Sequence, residues 1–356
     1  MPGLNFPVYK TKIVKKQTFR LEDPAQRAKY FQLKAGKEIA KLRKYLQKNS
    51  FVGFLLGKKN SGKGTYSKLF MEALGGDSVA HVSVGDIVRH THKSLENPKR
   101  KRELIGFLRQ RYRGFMSIEQ ALDIIEGRDT VSLLPTEIIL ALVEHEISLL
   151  KGKAIFIDGF PRNLDQISYS LYFRALMGYR DDPDFFVFID IPETILEARM
   201  KGRVICPICF TPRHPVLLRT RDIGYDERSH EFYLKCDTPS CKGVRMTAKE
   251  GDTLGIEAIR DRLEMDDAIM RQLLTLQGVP KVYLRNSVPV KEASKLVDAY
   301  ELTPAYRYEW DAKKKQVKAI EEPWIVMDAD GVPSYSLLPA AVVVSFIKQT
   351  AKVLGL

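Results

Sequence analysis

The sequence predicts an α/β protein in which helices flank a parallel β-sheet core. Three observations carry that reading. Short apolar runs alternate along the chain with longer stretches at helical spacing. The runs are apolar throughout, as strands buried on both faces require. A Gly- and Lys-rich segment, Gly57–Thr65, joins the first run to the helical stretch after it.

Residues 1–22 read as irregular and basic, with Lys10 to Lys16 as one cationic patch. Asp23-Pro24 then starts a helix, with Asp as N-cap and Pro in the first turn. Phe31, Ala35, Ile39, Leu42 and Leu46 keep helical spacing to about Lys48, and this face should pack on a core. Strands are expected at Phe51–Leu56, Val79–Val82, Ala154–Ile157, Asp184–Ile191 and Trp324–Met327. Helical patterns cover Thr65–Leu74, Pro135–Leu150, Asn163–Met177, Ile195–Lys201, Ile256–Thr275 and Ser336–Lys352. Three stretches break the rhythm and read as insertions. Residues 90–130 are basic and helical, with a capping box at Ser117-Ile-Glu-Gln120. Residues 204–254 carry the cysteines, and Tyr306–Ile320 forms a hairpin.

The 356 residues are enough for a sizeable core in two or three domains. The longest apolar run, Leu337–Ile347, is too short to cross a bilayer, and the N-terminus lacks the pattern of a signal peptide. A cytoplasmic protein is therefore expected. The net charge of +13 fits a solvated cationic surface, a polyphosphate substrate or RNA. Part of that charge sits in Lys99–Arg113.

Gly57-Lys-Lys-Asn-Ser-Gly-Lys-Gly-Thr65 has the G-x-x-x-x-G-K spacing of a phosphate loop, with Thr65 one place later than the usual hydroxyl. Successive N–H groups and a helix N-terminus make an anion nest. Lys63 can reach the β- and γ-phosphates, and Thr65 can help hold Mg²⁺. Asn60 tolerates the left-handed backbone such a loop needs. The four cysteines, Cys206-x2-Cys209 and Cys236-x4-Cys241, cluster within 36 residues. That clustering reads as a tetrahedral thiolate metal site, Zn²⁺ first, before disulfides.

The motifs together resemble those of the adenylate kinases, among the P-loop nucleoside monophosphate kinases. Gly62-Lys-Gly-Thr65 is followed by Ser83-Val-Gly-Asp-Ile-Val-Arg89, then Asp158-Gly-Phe-Pro-Arg162 with Gln166, then Arg199-Met-Lys-Gly-Arg203, then Glu257-Ala-Ile-Arg-Asp-Arg262. The resemblance covers about residues 51–300 with motifs. It implies a P-loop core of residues 51–82, 148–203 and 255–356, after an N-terminal extension at 1–50. It implies a helical acceptor-binding insertion at 83–147 and a zinc lid at 204–254. The implied reaction is Mg²⁺-dependent transfer from ATP to AMP giving two ADP, without a covalent intermediate, by a monomer.

The resemblance also implies roles. Lys63, Asp158, Arg162, Arg203 and Arg262 would be catalytic, with Asp158 orienting Mg²⁺ through water. Gly57, Asn60, Ser61, Gly62, Lys63, Gly64, Thr65, Arg199 and Arg203 would bind ATP. Ser83, Arg89, Leu134, Gly159, Arg162, Gln166 and Arg262 would bind AMP, with Gln166 and Ser83 reading the base. Cys206, Cys209, Cys236 and Cys241 would close the lid around Zn²⁺, with His214 and His230 as bystanders. The family's further lid arginine has no obvious counterpart, and Arg245 or Lys249 would substitute. Another acceptor, GTP as donor, or an RNA-directed role for the basic helices are the alternatives.

Overall fold

The computed structural model describes residues 6–13, 17–75, 77–114, 116–126, 135–150, 152–167, 183–209, 211–248 and 251–356. Five strands form the main sheet: β1 (Val52–Gly57), β2 (Val79–Ser83), β3 (Ala154–Asp158), β4 (Asp184–Asp190) and β5 (Lys281–Arg285). Their order is β5-β4-β1-β3-β2 and every pairing is parallel. Leu55 and Ser83 both pair with Asp158, so the C-terminal strand ends finish side by side. In open α/β sheets, ligands bind at that edge.

The helices are α1 (Pro24–Tyr45), α2 (Lys63–Leu74), α3 (Val84–Leu95), α4 (Pro98–Arg111), α5 (Ile118–Glu126), α6 (Thr136–Ser148), α7 (Glu193–Lys201), α8 (Arg260–Thr275), α9 (Val290–Leu296) and α10 (Pro339–Val353). One sheet face packs on α1, α2 and α10, where Phe70, Phe156 and Phe346 lie 4.8–5.1 Å apart between ring centres. The other face packs on α3–α6 and α8 through Phe54, Phe186, Ile138, Leu142 and Ile269. Side chains alternate across the pleat: Phe156 faces the first core, Ile155 and Ile157 the second.

The expected fifth strand at Trp324–Met327 is corrected. The sheet closes with Lys281–Arg285, whose Val282 and Leu284 are fully buried. Ile325–Met327 instead edges a small antiparallel sheet with Ser287–Pro289 and Pro333–Ser336, where Ile325 and Met327 stay half exposed. Lys281, Tyr283 and Arg285 interrupt the true strand's apolar pattern. An edge strand tolerates that alternation and a central one does not. The helix expected at Asn163–Met177 falls largely on residues 168–182, outside the described residues. The hairpin forms as Pro304–Asp311 paired with Gln316–Pro323. The capping box forms too, Gln120 N donating to Ser117 Oγ and Ser117 N to Gln120 Oε1, each at 3.1 Å.

Asp23 caps α1 as expected, accepting from Ala25 N and Gln26 N at 2.8 and 3.0 Å. The helix docks on α10 and α2 through Phe31, Ile39 and Leu42, which are buried. On the same helix Lys34 is also buried. Its Nζ lies 2.6 Å from Asp298 Oδ2 and 3.2 Å from Glu301 Oε1. Removing one partner of a buried pair leaves uncompensated charge, so Lys34→Ala should cost about 3–5 kcal/mol. Urea unfolding measures this; a loss near that of an exposed lysine would contradict the reading.

Candidate active site

The loop leaving β1 wraps into an anion nest. Asn60 and Gly62 take positive φ values of 67° and 100°, the conformation expected for Asn60. A Cβ on Gly57 would meet Ser61 Oγ at 2.8 Å, so the loop closes only over glycine. Gly62 begins α2 without a side-chain cap, leaving first-turn amides for an anion. Ser61 Oγ is fully buried with no hydrogen-bond partner among the described residues. Lys63 Nζ donates to Gly57 O and Lys58 O at 2.7 and 3.1 Å, curled over its own loop. Lys58 turns away to Glu193 at 2.6 Å, and Lys59 N donates to Asp266 Oδ2 at 2.9 Å.

At the end of β3, Asp158 lies 3.8 Å from Lys63 Nζ and 3.7 Å from His81 Nε2. Burial alone would raise its pKa, but His81, Lys63 and Arg162 outweigh that and hold the carboxyl below its ordinary value. The group stays ionised and suits a hydrated cation. Arg162 folds back so that its Nε donates to Gly159 O at 2.9 Å. Ser83 both lines the cleft and caps α3, accepting from Asp86 N at 3.3 Å. Arg89 lies on α3. Leu134 and Lys249 are outside the described residues.

Arg203 grips Asp252 with two hydrogen bonds of 2.6 and 2.8 Å. Arg262 Nε lies 3.0 Å from Asp266 Oδ1. Arg199 reaches Asn286 and Ser336 at 3.4 and 3.5 Å. Asn286 is a buried hub that sequence reasoning missed. Its Nδ2 donates to Tyr66 OH and Leu337 O, and its Oδ1 accepts from Ser336.

One cleft of about 1700 Å³ gathers the loop from Lys59 to Thr65 with Ser83, Asp158, Gly159, Arg162, Arg199, Arg203 and Arg262. Two expected residues behave differently. Gln166 is 1% exposed and does not line the cleft; its Oε1 accepts from Arg162 N and its Nε2 donates to Thr136 Oγ1. Arg245 sits in the cysteine segment beside Glu231 and over the Tyr233 ring, away from the cleft. Arg213, from the cysteine segment, is a further cation that lines the cleft, and so is Arg260. Arg260 lies inside the Glu257–Arg262 motif, so the signal was in view.

Residues 204–248 form short strands, Val204–Ile205 with Pro212–Arg213 and Thr247–Ala248, and a hairpin of Ile223–Asp226 with Glu231–Leu234. The four cysteine sulphurs lie within 4.8 Å of one another. Cys209 and Cys236 are 3.6 Å apart, too far for a disulfide and close to the roughly 3.8 Å between thiolates on a tetrahedral ion with Zn–S bonds near 2.3 Å. Hydrogen bonding from Thr211 and Thr238 brings the Cys209 thiol down to about 5, while burial pushes Cys241 up to about 12. The donor set fits Zn²⁺.

His214 stays outside the four-cysteine cluster, as expected, and is held by backbone groups instead. Its Nε2 donates to Ala198 O at 2.8 Å, and its Nδ1 accepts from Val216 N and Leu217 N at 3.1 Å each. Both ring nitrogens are committed to the neutral form, and burial, with Arg199 adding, lowers the pKa.

The fold and the cleft are consistent with a P-loop α/β protein. The proteins it is similar to are nucleoside monophosphate kinases. The chain is 28% identical to the adenylate kinase of Clostridium acetobutylicum over 238 residues, 67% of this chain and 88% of that enzyme. It is 30% identical to the adenylate kinase of Clostridium botulinum strain Loch Maree over 161 residues, 45% of this chain and 62% of that enzyme. It is also 30% identical to UMP-CMP kinase 2 of Oryza sativa subsp. japonica over 154 residues, 43% of this chain and 51% of that enzyme. The chain thus resembles the adenylate kinases, and these similarities support nucleoside monophosphate kinase function. No protein-family profile matches it.

A histidine with a depressed folded pKa binds its proton more readily when unfolded, so it withdraws stability as pH falls below about 6.5. His214→Gln should therefore shrink the drop in thermal midpoint between pH 7.5 and 5.5. An identical drop in both proteins would contradict this.

Proposed function

We propose that this chain is an adenylate kinase, catalysing reversible Mg²⁺-dependent transfer of the γ-phosphoryl group of ATP to AMP to give two ADP. The observation that carries the reading is the single cleft, where a phosphate loop meets arginines from the Asp158–Arg162 turn, α7, its exit and α8. Its volume of about 1700 Å³ exceeds the roughly 300–1000 Å³ of a one-ligand pocket, as two nucleotides in one site require.

Phosphoryl transfer asks for alignment and positive charge more than for covalent chemistry. In this reading Lys63 and the loop amides hold the donor phosphates, and Arg89 and Arg162 hold the acceptor's α-phosphate. Arg203, Arg260 and Arg262 surround the moving group. Each guanidinium has five donors, so Arg203 and Arg262 keep N–H groups for phosphate while paired with carboxylates. Bound Mg²⁺ neutralises charge on the β- and γ-phosphates; Asp158 and Thr65 are the residues that would hold it. Arg199 flanks the donor base. The insertion at 83–147 would close over the acceptor and the 204–254 lid over the donor, excluding water.

Gln166 retains one N–H and one lone pair beyond its bonds to Thr136 and Arg162. Those groups would suit an adenine edge, but Gln166 does not line the cleft, so the choice of AMP rests on the likeness to the adenylate kinases. The similarity to a UMP-CMP kinase, and the burial of Gln166, favour a second reading in which a pyrimidine monophosphate is the acceptor. A cytoplasmic monomer belongs to the proposal; none of the described helices is long and apolar enough to cross a membrane.

Lys63→Ala and Arg162→Ala should each lower ADP formation on the order of a thousandfold with circular dichroism unchanged. Retained activity in either would contradict the assignment. We also propose that Cys206, Cys209, Cys236 and Cys241 hold a structural Zn²⁺, because so small a lid has little core of its own. Chelation or Cys206→Ala should lower the thermal midpoint. The same midpoint in metal-free protein would defeat the zinc assignment.

A further inference from the structure

The hairpin of Pro304–Asp311 and Gln316–Pro323 has no place in the phosphoryl-transfer reading, yet it makes specific contacts with the cysteine segment. Trp310 stacks on Tyr225 at 4.8 Å between ring centres, with planes 24° apart. Tyr308 packs on Phe232 at 5.7 Å. The Arg219 guanidinium lies 5.0 Å from the centre of the Tyr306 ring. In an antiparallel pair, alternate residues turn their N–H groups away from the partner strand. Tyr306 spends its N–H on Val216 O at 2.8 Å. Tyr308 OH donates to Pro215 O.

The two hydrogen bonds end on the tight turn 214–218, while the ring contacts hold the neighbouring Arg219 and the 223–234 hairpin. The turn is closed by His214 N to Leu218 O at 3.0 Å and Leu218 N to His214 O at 2.9 Å. From the other side the turn is tied to α7, where His214 donates to Ala198 O. The same turn faces the cleft. His214, Leu217 and Leu218 line it, as do Thr303, Leu338 and Pro339. Leu218 is 53% exposed, an apolar side chain open to that space. Thr303 immediately precedes the hairpin, so one segment both lines the cleft and reaches the turn that lines it too.

We propose that the 304–323 hairpin is a strap that holds the 214–218 turn over the donor-base end of the cleft before nucleotide arrives, making Tyr306, Tyr308 and Trp310 positioning residues for the donor. The inference rests on the kinase reading above for which nucleotide the turn covers, but not for the strap itself. A lid that swings free binds only in its closed fraction, and apparent affinity falls by that fraction. The strap raises the closed fraction in advance. Among the described residues its named ring and hydrogen-bond contacts fall on the cysteine segment, so it acts on one substrate.

The test has two arms. In steady-state kinetics, Trp310→Ala should raise the KM for ATP roughly tenfold and leave the KM for AMP within about twofold, as a population effect confined to the donor side requires. Tyr308→Phe, which removes only the bond to Pro215, should move the same parameter in the same direction by less. In hydrogen exchange on the nucleotide-free wild-type protein, the Tyr306 amide should be protected. That protection should fall in Trp310→Ala. Equal shifts in both KM values, or an unchanged KM for ATP, overturn the proposal. So does a Tyr306 amide that exchanges freely in the wild type. If Trp310→Ala does not fold, Tyr308→Phe and the wild-type exchange decide the matter. If the protein proves inactive, the kinase reading fails while exchange still judges the strap.

Discussion

The cleft crowds like charges, and the structure around it depends on how they are held. Lys63, Arg162, Arg199, Arg203, Arg260 and Arg262 all open onto one cavity. Two unit charges about 4 Å apart interact with about 4 kcal/mol at the effective dielectric of a protein surface, so such a set does not stay in place unaided. Carboxylates hold it: Asp158 beside Lys63, Asp252 on Arg203, Asp266 beside Arg262 and Glu257 on Arg260. Four of these six cations thus stand beside a carboxylate, which in the proposed reaction a phosphate would displace or share. Asp266 shows the cost of the arrangement. Burial pushes its carboxyl above the ordinary value even though Arg262 and Lys63 pull it down.

The sheet makes this crowding possible. Parallel strands buried on both faces bring Gly57, Ser83 and Asp158 to one edge, and the loop after β1 turns its amides into the same space. The chain's additions surround that edge. Helix α1 seals the far side of the core through a buried lysine and two carboxylates. The hairpin at 304–323 reaches the cysteine segment. Asn286 ties α2, Leu337 and Arg199 together. None of these is among the groups proposed to act on phosphate, yet each bears on where those groups are placed.

Much of this was legible in the sequence because it is local. A phosphate loop needs its glycines and lysine within a few residues, and Asn60 shows the left-handed backbone its residue type suggests. The cysteines announced their cluster by spacing. What could not be read depends on distant partners. Lys281–Arg285 conceals a sheet strand because an edge position permits charged neighbours. Arg245 and Arg260 are equally plausible as letters, and only the fold sends one to the cleft and the other to Glu231. Gln166 carries the right amide, but Thr136, thirty residues away, occupies one end of it. His214 looked incidental until Ala198 and two backbone N–H groups were seen to fix its ring. The hairpin was visible as a pattern; its aromatic partners on the cysteine segment were not.

The most direct test is ADP formation from MgATP with AMP, CMP, UMP or GMP, set against hydrolysis with no acceptor. The account predicts rapid ADP formation with AMP, little with the other three and almost none without an acceptor. Rapid transfer to CMP or UMP would keep the kinase and move the acceptor. Protein that binds ATP and transfers to none of the four would contradict the account.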